Sequence, residues 1–226
     1  MGHIALAGCG AHLFRTVTLV KAHLLKALLV KALLLKALLW KALYAVTDLG
    51  DSAVLLPLAV AVLCWLALRS SRLAAWWALA VALDVGLTAM AKIYFYGCPP
   101  VPDMRSPSGH TALSVLVYGA LAMVAALSGG AQTRMSAIAA GAGLIMTIAA
   151  SRLLLSIHSL PEVVFGFVIG ALSLALFAAT YVRSPQAKVW PILVAAALLI
   201  SLLHGQQLHA EELLHRITGY LRIKCG

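Results

Sequence analysis

The run PSGHTALSVLVYGALAMVAAL, residues 107–127, decides how the chain folds. Its opening residues, Pro107, Ser108, Gly109 and His110, form a turn and a helix start: the serine can cap the first turn, and the glycine lets the backbone come close to a ligand. From Thr111 to Leu127 there is no Asp, Glu, Lys or Arg. In lipid, such a segment satisfies its backbone hydrogen bonds by forming a helix. The reading is an apolar helix that begins on an anion-binding turn.

The remainder of the 226 residues has the same character, with 63% hydrophobic and only 11% charged residues and a mean hydropathy of +0.99. Those values exclude an ordinary soluble domain and indicate an integral membrane protein. Six spans are predicted, over 53–68, 72–95, 110–127, 134–151, 160–182 and 187–204. The fold expected is an all-α, polytopic helical bundle with six core transmembrane helices, a basic N-terminal helix over 1–52 and a short amphipathic tail over 205–226. The membrane domain proper is 53–204. Gly141, Gly143 and the Gly166-x-x-x-Gly170 spacing are read as places where helices pack closely. Trp76-Trp77 and Tyr94-Phe95-Tyr96 are read as markers of the membrane interfaces.

Loop charge gives the orientation. Arg69, Arg72, Arg134, Arg183 and Lys188 fall in loops on one side, whereas the loops on the other carry only Arg105 and Arg152. The positive-inside tendency assigns the first group to the cytoplasm. Loops 96–109 and 152–160 then share the extracytoplasmic face, as in a bacterial inner membrane.

The first 52 residues read differently. Lys21, Lys26, Lys31, Lys36 and Lys41 recur every five residues, and a 140° advance per repeat scatters them over every helix face. Burying such lysines costs roughly 2.5–3.5 kcal/mol each at mid-bilayer, against roughly 0.3–0.6 kcal/mol returned per Leu or Val. A basic helix at the membrane interface, with snorkelling lysines, is expected; a seventh span and a repetitive or engineered leader are the rival readings. The net charge of +10 owes half its size to these lysines, so the partners expected are anionic lipid headgroups, with no nucleic acid. The four cysteines, Cys9, Cys64, Cys98 and Cys225, make no C-x-x-C pair; a bridge from Cys98 to a terminal cysteine is left open.

A second cluster supplies the chemistry the first lacks: Ser151-Arg152, then His158 and Glu162. A guanidinium suits phosphate, and imidazoles act as nucleophile or general acid and base. Lys92, the Pro-Ser-Gly-His tetrapeptide and Ser151-Arg152-x5-His158-x3-Glu162 together resemble the three signature motifs of the type-2 phosphatidic acid phosphatase family, membrane phosphatases that share an active site with vanadium haloperoxidases. The resemblance covers about 53–182. It implies a six-helix membrane fold, a metal-independent phosphohistidine mechanism with no cofactor, and a phosphorylated or pyrophosphorylated lipid as substrate.

The resemblance assigns His158 as nucleophile, Glu162 as the carboxylate that fixes its tautomer, and His110 as general acid and then base. Lys92, Arg152, the Ser108 hydroxyl and the amides near Gly109 are assigned to the phosphoryl oxygens. The sequence departs from the family pattern twice. Pro99 stands where the first motif has arginine, with Arg105 in the same loop as the substitute, and Glu162 stands where the third motif has aspartate.

Local structure offers competing accounts. Ser159-x-x-Glu162 fits a capping box as well as a histidine partner. Arg152 and Lys92 could snorkel. Asp84, inside an apolar span and outside every motif, is read as a hydrogen bond to a neighbouring helix or as protonated in place. His204, Glu211 and His215 share a face of the tail, but no metal site is assigned there. The function expected is a metal-independent phosphoric ester hydrolase acting on lipid phosphates; a lipid phosphotransferase, and a non-catalytic lipid-phosphate-binding or scaffold protein with a degraded site, are the alternatives.

Overall fold

The computed structural model describes residues 4–98, 100, 104–184 and 188–208, with 212, 214, 216, 217 and 219; side chains are described for Lys21 and from 23 onward. Its elements are α1 (Ile4–Asp48), α2 (Ser52–Ala67), α3 (Ser71–Gly97), α4 (Gly109–Ser128), α5 (Ala131–Leu154), α6 (Leu160–Tyr181) and α7 (Trp190–Leu203). The helices α2 to α7 coincide with the six segments read from the sequence. Ser71–Gly97, Gly109–Ser128, Ala131–Leu154, Leu160–Tyr181 and a stretch within His23–Ala67 are long and apolar enough to cross a membrane, whereas Trp190–Leu203 is shorter. The chain is a polytopic helical membrane bundle.

Two compact units divide it, Met1–Ala42 and Leu43–Gly226. In the first unit Lys21 and the side chains of 23–42 are exposed, leucines and lysines alike, as the five-residue repeat requires: no face gathers enough apolar residues to bury. The tail reading from 205 falls largely on residues outside those described, Glu211 and His215 among them.

In the second unit α4 is the centre. Its residues Thr111 to Tyr118 are all buried, and α2, α3, α5 and α6 pack around it. The outside of the bundle is oily: Met90, Met135, Leu172 and Leu202 are each at least 60% exposed. Apolar surface on that scale is what lipid covers.

Residues Gly166 and Gly170 fix how closely α6 lies on α4. A Cβ at Gly166 would stand 2.3 Å from the Ser108 carbonyl oxygen, and one at Gly170 2.3 Å from that of Ala112. Only glycine permits that approach, so the packing reading of this pair holds. Gly141 does the same for α5 against Ala122, but Gly143 faces open space, and its packing reading is corrected. Trp77 is also corrected: it is fully buried, donates from Nε1 to the Ala59 carbonyl at 2.8 Å and meets the Phe177 ring edge-on at 4.9 Å. It packs α3 into the core and anchors no interface.

Charged loops gather at one end of the second unit, where the Arg69 guanidinium donates to the Lys188 carbonyl at 3.3 Å. The opposite end holds the turn 49–51 and the loops before α4 and α6.

Gly166→Ala should lower thermal stability by about 1–3 kcal/mol, the usual cost of forcing a methyl into a filled contact, whereas Gly143→Ala should leave it unchanged or slightly raised. Thermal unfolding of the two purified variants in detergent checks this; equal melting temperatures would contradict it.

Candidate active site

The site forms where α4 and α6 begin and α5 ends. Ser108 caps α4: its hydroxyl accepts from the Thr111 amide at 3.4 Å and from the Thr111 hydroxyl at 3.0 Å. Its own proton stays available to donate. Because a helix start leaves its first amides without intrahelical partners, the N–H groups at Gly109 and His110 are suited to an anion.

The chain leaves α5 through Arg152. The amides of Ile157 and His158 both bond to the Arg152 carbonyl, at 3.1 and 3.2 Å, and Ser156 takes a positive φ of 55° to make the turn. His158 is thereby buried directly before α6. Its Nδ1 lies 2.9 Å from Glu162 Oε2. In the tautomer that directs the Nδ1 proton into the carboxylate, the lone pair is on Nε2, the arrangement a histidine nucleophile requires.

Glu162 does more than hold the imidazole. Oε2 also accepts from the Ser159 amide at 3.0 Å, and Oε1 accepts from the amides of Arg105 and Ser106, each at 2.8 Å. The capping box is present, so the two readings of this residue are both realised at once. Its main-chain carbonyl takes the Ser108 amide at 3.0 Å, a direct bond between the two motifs.

The remaining assigned residues are placed unevenly. Lys92 is buried, with its stem beside Gly109; a Cβ on that glycine would lie 3.7 Å from Lys92 Cε. Lys92, Gly109 and His110 line one cavity of about 190 Å³. Arg152 is buried and donates from its guanidinium to the Thr47 hydroxyl at 3.1 Å. Arg105 differs from expectation: it joins the site through its backbone amide, its residue is exposed, and its guanidinium makes no hydrogen bond among the described residues. Pro99 lies outside the described residues.

Beside the loop, the Tyr96 hydroxyl donates to Ser106 Oγ at 3.3 Å, so this tyrosine braces the loop in addition to any interfacial role. Cys98, where α3 ends, is disulfide-bonded.

Sequence reasoning missed the turn 47–51. Thr47 meets Arg152, and Asp51 Oδ2 lies 3.5 Å from His110 Nε2. Asp51 also caps α2, its Oδ1 accepting from the Ala53 amide at 2.8 Å. Gly50 permits the close approach: a Cβ there would stand 2.7 Å from the Ile148 side chain. The available signal was Asp48 and Asp51, two of only seven acidic residues in the chain, in a polar break before an apolar run.

Comparisons with known proteins identify the family. The family described as the PAP2 superfamily matches residues 94–186. An uncharacterised 22.5 kDa protein from the cps region of Klebsiella pneumoniae is 33% identical over 146 residues, covering 62% of this chain and 70% of that protein. No solved structure matches.

Asp51→Ala should reduce turnover by roughly tenfold or more, part of the 10²–10⁴ that a positioned acid or base contributes, and should displace the limb of the pH–rate profile that reports His110. Steady-state kinetics across pH checks this; an unchanged profile would reduce Asp51 to a helix cap.

Proposed function

The chain belongs to the PAP2 superfamily and has a phosphatase-type membrane fold, and from that premise we propose that it hydrolyses a phosphomonoester or pyrophosphate of a lipid through a phosphohistidine on His158. The observation that carries this reading is the His158 Nδ1 to Glu162 contact of 2.9 Å, which suits Nε2 to act as an oriented nucleophile beside a helix start that the Ser108 amide ties to the Glu162 carbonyl.

The reaction runs in two displacements. Nε2 of His158 attacks phosphorus, the P–N bond forms, and the P–O bond to the lipid breaks as His110 gives its proton to the departing oxygen. Glu162 balances the charge that builds on the imidazole. Neutral His110 then takes a proton from water, the water oxygen attacks phosphorus, and the P–N bond breaks to release inorganic phosphate. Lys92, Arg152, the Ser108 hydroxyl and the first amides of α4 meet the charge on the equatorial oxygens, so the reading needs no metal ion.

A lipid substrate follows from the position of the site at the end of a bundle whose outer face is apolar. The extracytoplasmic orientation rests on the basic loops at the opposite end and on the Cys98 disulfide, a bond that persists in oxidising compartments. The basic repeat of 21–41 suits anionic headgroups at the membrane surface.

Release of phosphate from a panel of reconstituted lipid phosphates tests the proposal. The wild type should be active in EDTA and inhibited by vanadate, whose five-coordinate form resembles the transition state, and His158→Ala should be inactive. Activity retained in His158→Ala, or a requirement for an added divalent ion, would contradict it.

A further inference from the structure

The catalytic turn at Ser108 to His110 does not account for two other polar groups in the cavity. Asp84, Thr88 and Lys92 sit at i, i+4 and i+8 on α3, so they share one face of the helix. They are only 1%, 7% and 4% exposed, and all three line the cavity that reaches Gly109 and His110. Asp84 is tied to α6 by a hydrogen bond with Ser173, as the sequence reading of a bond to a neighbouring helix expected. Its Oδ1, however, is buried with no hydrogen-bond partner among the described residues, and so is the Thr88 hydroxyl.

An acidic side chain within a membrane helix is costly, and buried polar atoms ordinarily find partners. Two orphaned atoms one turn apart, in a cavity that opens onto the catalytic turn, are explained if a ligand brings the missing partner. Thr88 lies beside that turn, its methyl 3.6 Å from where a Cβ on Gly109 would stand. Asp84 is deeper: eight residues at 1.5 Å each separate it from Lys92 by about 12 Å along the helix. Leu56, Val85 and Leu113 give the same cavity much of its apolar lining.

We propose that this cavity is a deep specificity subsite, in which Asp84 and Thr88 hold a hydroxyl or amide N–H carried on the body of the substrate between one and two helical turns, about 6–12 Å, from its phosphate. The proposal rests on the reading of the helix start as the phosphate site. It names the substrate class more narrowly: a phosphorylated amphiphile whose apolar part bears a hydrogen-bond donor, in preference to a plain hydrocarbon phosphate. A plain chain leaves Oδ1 and the threonine hydroxyl unpaired, or keeps water there; a donor-bearing chain satisfies them. The threonine hydroxyl both donates and accepts, so it can pair with the same group that Asp84 accepts from.

Binding of two non-hydrolysable probes to the full chain in nanodiscs tests this: dodecylphosphonate, and the same chain carrying one hydroxyl about 9 Å from phosphorus, midway between the levels of Thr88 and Asp84. The wild type should bind the hydroxylated probe about tenfold or more tightly, and both Thr88→Val and Asp84→Leu should bring the ratio close to one. Thr88→Val keeps the shape of the side chain and the Asp84–Ser173 bond, so it remains informative if Asp84→Leu does not fold. Turnover of the two matching phosphate esters is measured in parallel. A binding preference without turnover would overturn the phosphatase reading and leave the subsite; turnover of both esters with equal probe affinities would leave the phosphatase and overturn the subsite, assigning the polar end to water. A preference that survives in Thr88→Val and in folded Asp84→Leu would also overturn it.

Discussion

A carboxylate at the start of a membrane helix is tolerable only when donors surround it, and the organisation of this site depends on how Glu162 meets that demand. Its side chain collects the His158 imidazole and the amides of Arg105, Ser106 and Ser159, while its main-chain carbonyl takes the Ser108 amide. Hydrogen bonds to charged groups contribute about 1.5–3 kcal/mol each, and an unpaired buried charge costs several. The lowest-energy arrangement therefore holds the loop before α4, the start of α6 and the imidazole in one register. The missing side chains at Gly166 and Gly170 let α6 approach α4 closely enough for the network to close.

Three other segments are drawn to the same end. Lys92 arrives from α3, Arg152 from the last turn of α5, and the turn 47–51 contributes Thr47 to Arg152 and Asp51 to His110. Each histidine thus faces a carboxylate, but the pairings differ. His158 has a short contact to a carboxylate that other donors fix in place, which suits a nucleophile of set tautomer. His110 is more open and has a longer contact to Asp51, which suits a group that gives and takes a proton.

Much of this was legible in the sequence because the bilayer simplifies the code. Apolar runs gave the helices from Ser52 to Leu203 within a few residues, and loop charge separated the two ends. His110, Arg152, His158 and Glu162 stood out as polar side chains in oily surroundings. What was hidden depended on tertiary placement. Asp51 looks like an ordinary helix cap until the turn before it is pressed against Ile148. Arg105 carries the right charge in the right loop, yet its backbone makes the bond. Trp77 has the composition of an interfacial residue and packs in the core, because helical periodicity could not say which face of α3 meets α2. Glu162 was legible twice, as a cap and as a histidine partner, and the geometry needs both.

The central claim is that His158 forms a covalent bond to phosphorus. Rapid quenching of the protein during turnover of a phosphate-labelled lipid, followed by peptide mapping, tests it most directly. An acid-labile, alkali-stable label on the peptide containing His158, absent from His158→Ala, is the result expected. Turnover with no label trapped on that peptide, or label on another residue, would contradict it.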